Sequence, residues 1–173
     1  SLDVCVRVKP NGAVKALGNV RNGPTFLTDC TAAGGVPMAP KAAVLGADGA
    51  AATGPTVQLW TDPIAQNPAL DATETWELWN WSADAHPIHL HLVKFKVQDR
   101  QLIGGATRPP EATEAGWKDT VIAYPGEVTR VKATFDKEGL YVWHCHIVEH
   151  EDNEMMVPFC VGDAASAPGC AGL

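Results

Sequence analysis

The chain has 173 residues, a length that fits one domain. Its 13 basic and 20 acidic residues give a formal net charge of −7, and without a basic patch we expect no nucleic-acid partner. No apolar run reaches the roughly 18 residues that a membrane-spanning helix needs, so no span is predicted. The chain begins at Ser1 without a signal sequence, as expected of a processed or excised fragment.

The first third of the chain predicts little regular structure. Residues 2–8 alternate between apolar and other side chains and predict a strand. Residues 9–55 are rich in Gly, Ala, Pro, Asn and Thr, a composition typical of linker and loop. Within them, only a short strand near residues 41–45 is expected.

From residue 56 onward, short strands are predicted one after another. They cover residues 57–60, 75–81, 89–99, 118–123, 128–135, 140–146 and 157–161. A long loop is expected over residues 100–117, and a helical turn over residues 148–153. Many short strands between turn signals, with almost no helical periodicity, predict an all-β protein built as a β-sandwich.

All six histidines fall in two short segments of this predicted sandwich. The first segment is His86-Pro87-Ile88-His89-Leu90-His91, and the second contains His144-Cys145-His146, followed by His150 and Met155. Thiolate and thioether sulfurs are soft ligands that suit copper, and imidazole binds copper well. The segments therefore predict copper sites. The alternatives are core residues that bind no metal, and zinc, which also takes histidine and cysteine but rarely a thioether.

Strand geometry predicts that the second segment serves two sites. Alternate side chains of a strand point to opposite faces, so Cys145 points one way while His144 and His146 point the other way. The covalent path from the sulfur through the backbone to either imidazole is short. This arrangement is suited to passing an electron from one site to the other.

The first segment follows the same logic. His89 and His91 share a face, and His86 lies three residues before His89 across a proline that is expected to bend the chain. A different metal can therefore be bound by His86. Two histidines, one cysteine and a weak axial methionine describe a blue-copper electron-transfer site. We assign that mononuclear site to His86, Cys145, His150 and Met155, with Met156 as the other candidate axial donor.

These two segments resemble the signatures H-P-x-H-x-H and H-C-H-x-x-x-H-x-x-x-x-M of the multicopper oxidases. The stretches HPIHLHLVKFKVQDR and YVWHCHIVEHEDNEMM look most like the bacterial branch of the family, which includes spore-coat laccases, bilirubin oxidases and phenoxazinone synthases. The resemblance covers roughly residues 56–161. It implies a cupredoxin-type Greek-key β-sandwich that follows a loop-rich amino-terminal segment.

The resemblance implies a role for each ligand. Type 1 copper would be bound by His86, Cys145, His150 and Met155, type 2 copper by His89, and the type 3 pair by His91, His144 and His146. Electrons from the reducing substrate would enter near His150 and leave through Cys145. Glu151 matches an acidic residue that helps to deliver protons to dioxygen in relatives.

The resemblance also implies a division of the chain. Residues 1–40 would be an interdomain strand and linker left from a preceding domain, residues 41–163 the carboxyl-terminal plastocyanin-like domain, and residues 164–173 a flexible tail. In the family, further cluster histidines come from the first domain, and this chain has none to spare. We therefore expect an amino-terminal polypeptide, or domains of the same oxidase, to supply them.

The implied activity is that of a copper-dependent oxidoreductase. A phenolic, aryl amine or bilirubin-type substrate would lose single electrons at the type 1 copper, coupled to four-electron reduction of dioxygen to water by an assembled enzyme with up to four coppers. The main alternative is an isolated type 1 module that transfers electrons without oxidase activity. A copper nitrite reductase is a weaker alternative, because its motif needs a histidine on only one side of the cysteine.

The remaining cysteines are Cys5, Cys30, Cys160 and Cys170. An even set with loop-rich surroundings favours disulfides and an oxidising compartment, so we expect a secreted, periplasmic or spore- or cell-surface protein. Three pairings are open, and we favour Cys5 with Cys30 and Cys160 with Cys170 because each closes a modest loop. Free buried thiols and a bridge to the missing polypeptide also remain open.

Overall fold

The computed structural model describes residues 2–8, 14–21, 36–38, 45–47 and 56–171, in two compact units, Ser1–Ala43 and Val44–Leu173. In the first unit, the strands β1 (Leu2–Val8), β2 (Val14–Arg21) and β3 (Val36–Met38) form an antiparallel sheet in the order β2-β1-β3. The strand predicted over residues 2–8 is confirmed. The prediction of linker and loop was wrong for β2 and β3. In β2, Gly18 and Asn19 are both poor strand formers and interrupt the alternating pattern.

The body of the second unit consists of two four-stranded antiparallel sheets. The histidine sheet has the order β10-β7-β12-β13 and comprises β7 (His86–Leu90), β10 (Thr120–Ala123), β12 (Gly139–Cys145) and β13 (Met156–Val161). The opposite sheet has the order β6-β11-β8-β9 and comprises β6 (Ala72–Trp79), β8 (Phe95–Leu102), β9 (Thr107–Arg108) and β11 (Glu127–Phe135). The predicted all-β, cupredoxin-type sandwich is confirmed.

Three short elements complete the second unit. The strands β4 (Leu45–Ala47) and β5 (Thr56–Gln58) pair with each other. A 3₁₀ helix (Ala112–Glu114) lies in the long loop after β9, and helix α1 (Val148–Glu151) follows β12 as expected. None of the helices among the described residues has the length and apolar character that crossing a bilayer requires.

Aromatic rings from both sheets fill the core. Trp76 of the opposite sheet packs against Phe135 with 5.6 Å between ring centroids, and against Trp143 and Phe159 of the histidine sheet at 6.1 and 5.6 Å. Phe135 and Phe159 are fully buried. Burying each such side chain contributes roughly 1.5–3 kcal/mol, so this cluster holds the two sheets face to face.

The segment around Pro87 differs from expectation. No bend occurs there, because β7 continues through the proline, which lies opposite Ile122 of the edge strand β10. His86 and His89 lie on opposite faces because their spacing is odd, as in any regular strand. Proline is tolerated in this position because it is the second residue of β7 and lies before Ile88, where the pairing of β7 with β12 begins.

The single strand predicted over residues 89–99 was wrong. Instead, β7 ends at Leu90 and β8 begins at Phe95 in the other sheet. The chain crosses between them through Leu92, whose φ of 72° is a left-handed conformation that is uncommon for leucine. The crossover leaves His91 at the end of the histidine sheet.

The end of the described chain is attached to the sandwich by a disulfide between Cys160 and Cys170, the pairing favoured from the sequence. Both cysteines and Ala167 are buried in a small cluster with Ile64 and Leu140 packed against it. The other favoured pairing, which involves Cys30, lies outside the described residues.

Candidate metal centres

Three donor atoms meet on one side of β12. Nδ1 of His86 lies 3.2 Å from Nδ1 of His150, and Sγ of Cys145 lies 3.7 and 3.8 Å from these two nitrogens. Cys145 is fully buried, His86 is 4% exposed and His150 is half-buried. We call these three residues the closed cluster, because its donors face one another inside the protein.

The chain after β12 folds back to complete the closed cluster. Helix α1 reverses the chain direction and brings His150 towards Cys145. The backbone N–H of Cys145 donates to the carbonyl of Met155, and the N–H of Met155 donates to the carbonyl of His150, both at 3.0 Å. Met155 is buried beside the cysteine, whereas Met156 pairs in register with His144. Of the two methionines, Met155 is therefore the one placed on the side of the closed cluster.

His86 is also contacted at its outer nitrogen. Nε2 of His86 lies 2.8 Å from Oγ of Ser82, and that oxygen lies 2.7 Å from Oδ1 of the buried Asn80. Sequence reasoning missed both residues. The available signal was an Asn-x-Ser sequence just before the first histidine, since these side chains favour hydrogen bonds with nearby backbone in turns.

Four histidines lie on the other side of β12. Nε2 of His91 lies 3.3 Å from Nε2 of His144, and the donor atoms of both lie within 4.8 Å of one on His89. The ring centroid of His146 lies 5.2 Å from that of His144. His91 and His146 are exposed, unlike any member of the closed cluster. We call these four the open cluster.

Carbonyl and carboxylate oxygens hold the Nδ1 atoms of two open-cluster rings. Nδ1 of His89 lies 2.9 Å from the carbonyl oxygen of Asp119. Nδ1 of His144 lies 3.0 Å from the carbonyl oxygen of Cys145 and 3.2 Å from Oε2 of Glu151. Carbonyls only accept hydrogen bonds, so in the neutral form of either ring Nδ1 carries the hydrogen and Nε2 keeps its lone pair for a metal.

Burial shifts the pKa of three of the cluster residues, His86, His91 and Cys145. Burial lowers the pKa of His86, and the nearby His150 lowers it further. Burial and the neighbouring histidines likewise lower the pKa of His91. Burial raises the pKa of the Cys145 thiol, an effect that the backbone N–H of Ile147 partly opposes. The lowered pKa values favour the neutral form of His86 and His91, which ligation requires. The thiol of Cys145, in contrast, must lose a proton when a metal binds.

The donor chemistry of the closed cluster fits copper. A cysteine sulfur and two imidazole nitrogens lie together, with a methionine buried alongside. This donor set is the one that blue-copper sites use. The open cluster offers imidazole nitrogens, which also suit copper. The structure thus gathers the predicted ligands into two groups on opposite sides of β12, and which copper each residue binds stays a prediction.

Comparisons with known proteins agree with this reading. A family model described as multicopper oxidase matches residues 39–165. A laccase of Bacillus subtilis (strain 168) is 45% identical over 118 residues, which cover 60% of this chain and 23% of the laccase. A laccase of Haloferax volcanii is 55% identical over 95 residues, which cover 54% of this chain and 16% of that protein.

Solved structures agree as well. A multi-copper oxidase from Pediococcus acidilactici matches with a TM-score of 0.55 and 34% identity, over 61% of this chain and 22% of that one. The chain spans about a quarter or less of the length of these relatives. The family model covers well over half of the chain, and copper is the cofactor that the family implies. On this basis, the chain belongs to the multicopper oxidase family.

Proposed function

We propose that this chain is the carboxyl-terminal copper-binding part of a laccase-like multicopper oxidase. It acts with amino-terminal domains of the same oxidase, on the same polypeptide or on a second one. The reaction is the one-electron oxidation of phenolic, aryl amine or bilirubin-type substrates, coupled to four-electron reduction of dioxygen to water. One observation carries the proposal: Cys145 of the closed cluster lies between His144 and His146 of the open cluster in a single segment.

The ligands divide between the clusters as the signatures imply. The mononuclear type 1 copper would be held by His86, Cys145 and His150, with Met155 as the fourth ligand. Type 2 copper would be held by His89, and the type 3 pair by His91, His144 and His146. When bound, copper supplies one-electron acceptance from the reducing substrate and the reduction of dioxygen. The protein supplies the ligand geometry, the exclusion of water and the hydrogen bonds that orient each ring.

Two residues define how the reducing substrate approaches. His150 is half-buried, and Val148, two residues before it, is 62% exposed. Cys145 is fully buried, so its sulfur, 3.8 Å from Nδ1 of His150, is shielded from water. A small aromatic molecule can therefore approach the ring edge of His150 without reaching the thiolate.

Glu151 is proposed to carry protons to the site of dioxygen reduction. Its carboxylate is 25% exposed and lies 3.2 Å from Nδ1 of His144. It therefore lies between solvent and the open cluster and can exchange protons with both. The exposed rings of His91 and His146 mark the face that the missing histidines complete.

The domain division proposed here is the one expected from the sequence. Residues 1–40 form an interdomain segment that carries the strands β1, β2 and β3, residues 41–163 form the cupredoxin domain, and residues 164–173 form the tail. The Cys160–Cys170 disulfide supports an oxidising location, which we propose to be secreted, periplasmic or at the spore or cell surface.

The test is an inventory of chains and copper in the native protein. The native protein is purified from its source, every polypeptide is sequenced, and the copper content and the optical and spin-resonance spectra are measured. We expect further cluster histidines in the sequences, four coppers per assembly, and type 1, type 2 and type 3 signals. A preparation that contains only this chain, with one blue copper and no oxygen uptake, would instead establish the electron-transfer module. A preparation in which Cys145 contacts no metal contradicts both.

A further inference from the structure

We propose that Ser82, held in place by Asn80, fixes the neutral ring of His86 in the form that carries its hydrogen on Nε2 and offers Nδ1 to the closed cluster. The effect on metal binding rests on the proposed mononuclear site. The form of the ring itself does not, because hydrogen bonds alone determine it.

The side-chain amide of Asn80 has one orientation that satisfies its neighbours. Its nitrogen lies 2.8 Å from the carbonyl oxygen of Asp84 and 2.9 Å from that of Ala123. Its oxygen lies 2.9 Å from the backbone nitrogen of Ser82. Carbonyls only accept and a backbone N–H only donates, so Oδ1 must face Ser82.

Asn80 is also a rigid anchor. It is 6% exposed, its backbone N–H donates to the carbonyl of Glu127 at 3.0 Å, and its carbonyl accepts from Gly126 at 2.9 Å. Ala123 is the last residue of β10 and Glu127 is the first of β11. Asn80 is therefore hydrogen-bonded to strands of both sheets, and Oδ1 has little freedom to move.

The single proton of the Ser82 hydroxyl then has a preferred place. Oγ lies 2.7 Å from Oδ1 of Asn80, 3.1 Å from the carbonyl oxygen of Asp84 and 2.8 Å from Nε2 of His86. The first two atoms only accept, and the contact with Asn80 is the shortest of the three. With its proton committed to Asn80, Oγ must accept from His86, and Nε2 must carry the hydrogen.

The consequence lies at the other nitrogen of the ring. Nδ1 of His86 keeps its lone pair and faces Nδ1 of His150 at 3.2 Å and Sγ of Cys145 at 3.7 Å. In the opposite form of the ring, a hydrogen would point into the cluster and would have to leave before a metal could bind. Ser82 thus prepares His86 for ligation, the role that hydrogen-bond partners of metal-bound histidines commonly have.

The experiment uses Ser82→Thr and Ser82→Val, which have nearly the same shape but differ in the hydroxyl. Ser82 is exposed, so the added methyl groups have room, and Ser82→Ala adds no bulk at all. The full chain is labelled with ¹⁵N-histidine and studied without metal, with the signals of His86 assigned by their absence in His86→Gln. The control is Ser166→Ala at an exposed serine outside this network.

Wild type, Ser82→Thr and Ser166→Ala should show only the Nε2–H form of His86. Ser82→Val and Ser82→Ala should populate the Nδ1–H form and bind Co²⁺ at the cysteine roughly 10–100-fold more weakly. An unchanged ring form in Ser82→Val, or a Ser82→Thr protein that behaves like Ser82→Val, overturns the proposal. The Nδ1–H form of His86 in Ser82→Val, together with no cysteine–cobalt band in any of the proteins, would support the role of Ser82. That outcome would count only against the proposed mononuclear site.

Discussion

The closed and open clusters share the strand β12 and differ in almost everything else. The closed cluster combines a sulfur with two imidazoles, and its cysteine is fully buried. The open cluster has imidazoles only, and two of its four rings are exposed. A strand that alternates between its two faces can therefore build a self-contained site on one face and an incomplete one on the other.

The clusters also use different ring nitrogens. The histidines of the closed cluster meet at Nδ1, close to the backbone, whereas His91 and His144 meet at Nε2, at the far end of the ring. A donor near the backbone is held by the sandwich itself. A donor at the end of the ring extends outward, which suits a site that residues from elsewhere must complete.

The largest effect is expected from Cys145→Ser. Loss of the thiolate removes the sulfur ligand of the type 1 copper, so the intense visible band and all substrate oxidation should disappear. Absorption and spin resonance of the copper-loaded assembly would check this. Because the open cluster contains no sulfur, its copper should remain bound. A persistent blue band would show that the ligand assignment is wrong.

His91→Ala should have the opposite pattern. It removes an exposed ligand of the open cluster and leaves the closed cluster intact, so oxygen consumption should fall to background while the blue band stays. Oxygen uptake and absorption measured on the same sample provide the comparison. Bleaching of the blue band by this substitution would mean that the two clusters do not form independently.

Both clusters could be outlined from the sequence because they depend on local geometry. Alternation along a strand separates Cys145 from His144 and His146. The odd spacing of His86 and His89 does the same in β7, although that separation was expected from a bend at Pro87. The two-residue period of a strand fixes the face of each side chain once the segments are known to be strands. The helical turn that returns His150 was also expected, over residues 148–153, and the structure has a helix over Val148–Glu151.

What could not be predicted depends on contacts between distant parts of the chain. The crossover at Leu92 requires a leucine in the left-handed conformation, and no glycine or proline at this position in the sequence indicates a turn. The contact between His89 and the carbonyl of Asp119 joins β7 to the end of a long loop. Asn80 holds Ser82 only because β10 and β11 pass beside it.

Removal of the disulfide should separate stability from metal binding. Cys160 lies opposite Leu140, near the end of β12 far from Cys145. Replacing Cys160 and Cys170 with alanine opens a loop closed across 10 residues and should lower the free energy of unfolding by about 2–3 kcal/mol. Urea unfolding would measure this, and the blue band should be unchanged. Loss of colour would indicate that the disulfide supports the closed cluster directly.

A smaller effect is expected from Glu114→Gln. Glu114 forms an ion pair with the fully buried Arg100, whose guanidinium also lies 3.7 Å from Glu127. Removing one partner of a buried pair costs roughly 3–5 kcal/mol, and we expect about 2 kcal/mol here because Glu127 still compensates the charge. The exposed pair of Arg108 and Glu111 is the control, since Glu111→Gln should cost less than about 1 kcal/mol.

The effect of Glu114→Gln should depend on pH with a definite sign. The hydrogen bond from Arg100 lowers the pKa of Glu114 below its ordinary value of 4.5. The stabilisation is therefore present above pH 4.5 and is lost as the pH falls through the lower pKa of the folded protein. Unfolding of both proteins from pH 7 to pH 3 should show their curves converging. A difference that does not shrink as the pH falls below 4.5 would mean that the ion pair is not its source.

Met155→Leu should give the smallest change and test the fourth donor of the closed cluster. Met155 is proposed as a weak thioether ligand, so its loss should leave the blue band in place and raise the reduction potential of the type 1 copper. Redox titration of the band measures the shift. Met156→Leu is a matched control, because Met156 pairs in register with His144 on the face of the open cluster and should leave the potential unchanged. A shift of the potential in Met156→Leu and none in Met155→Leu would reassign the axial donor from Met155 to Met156.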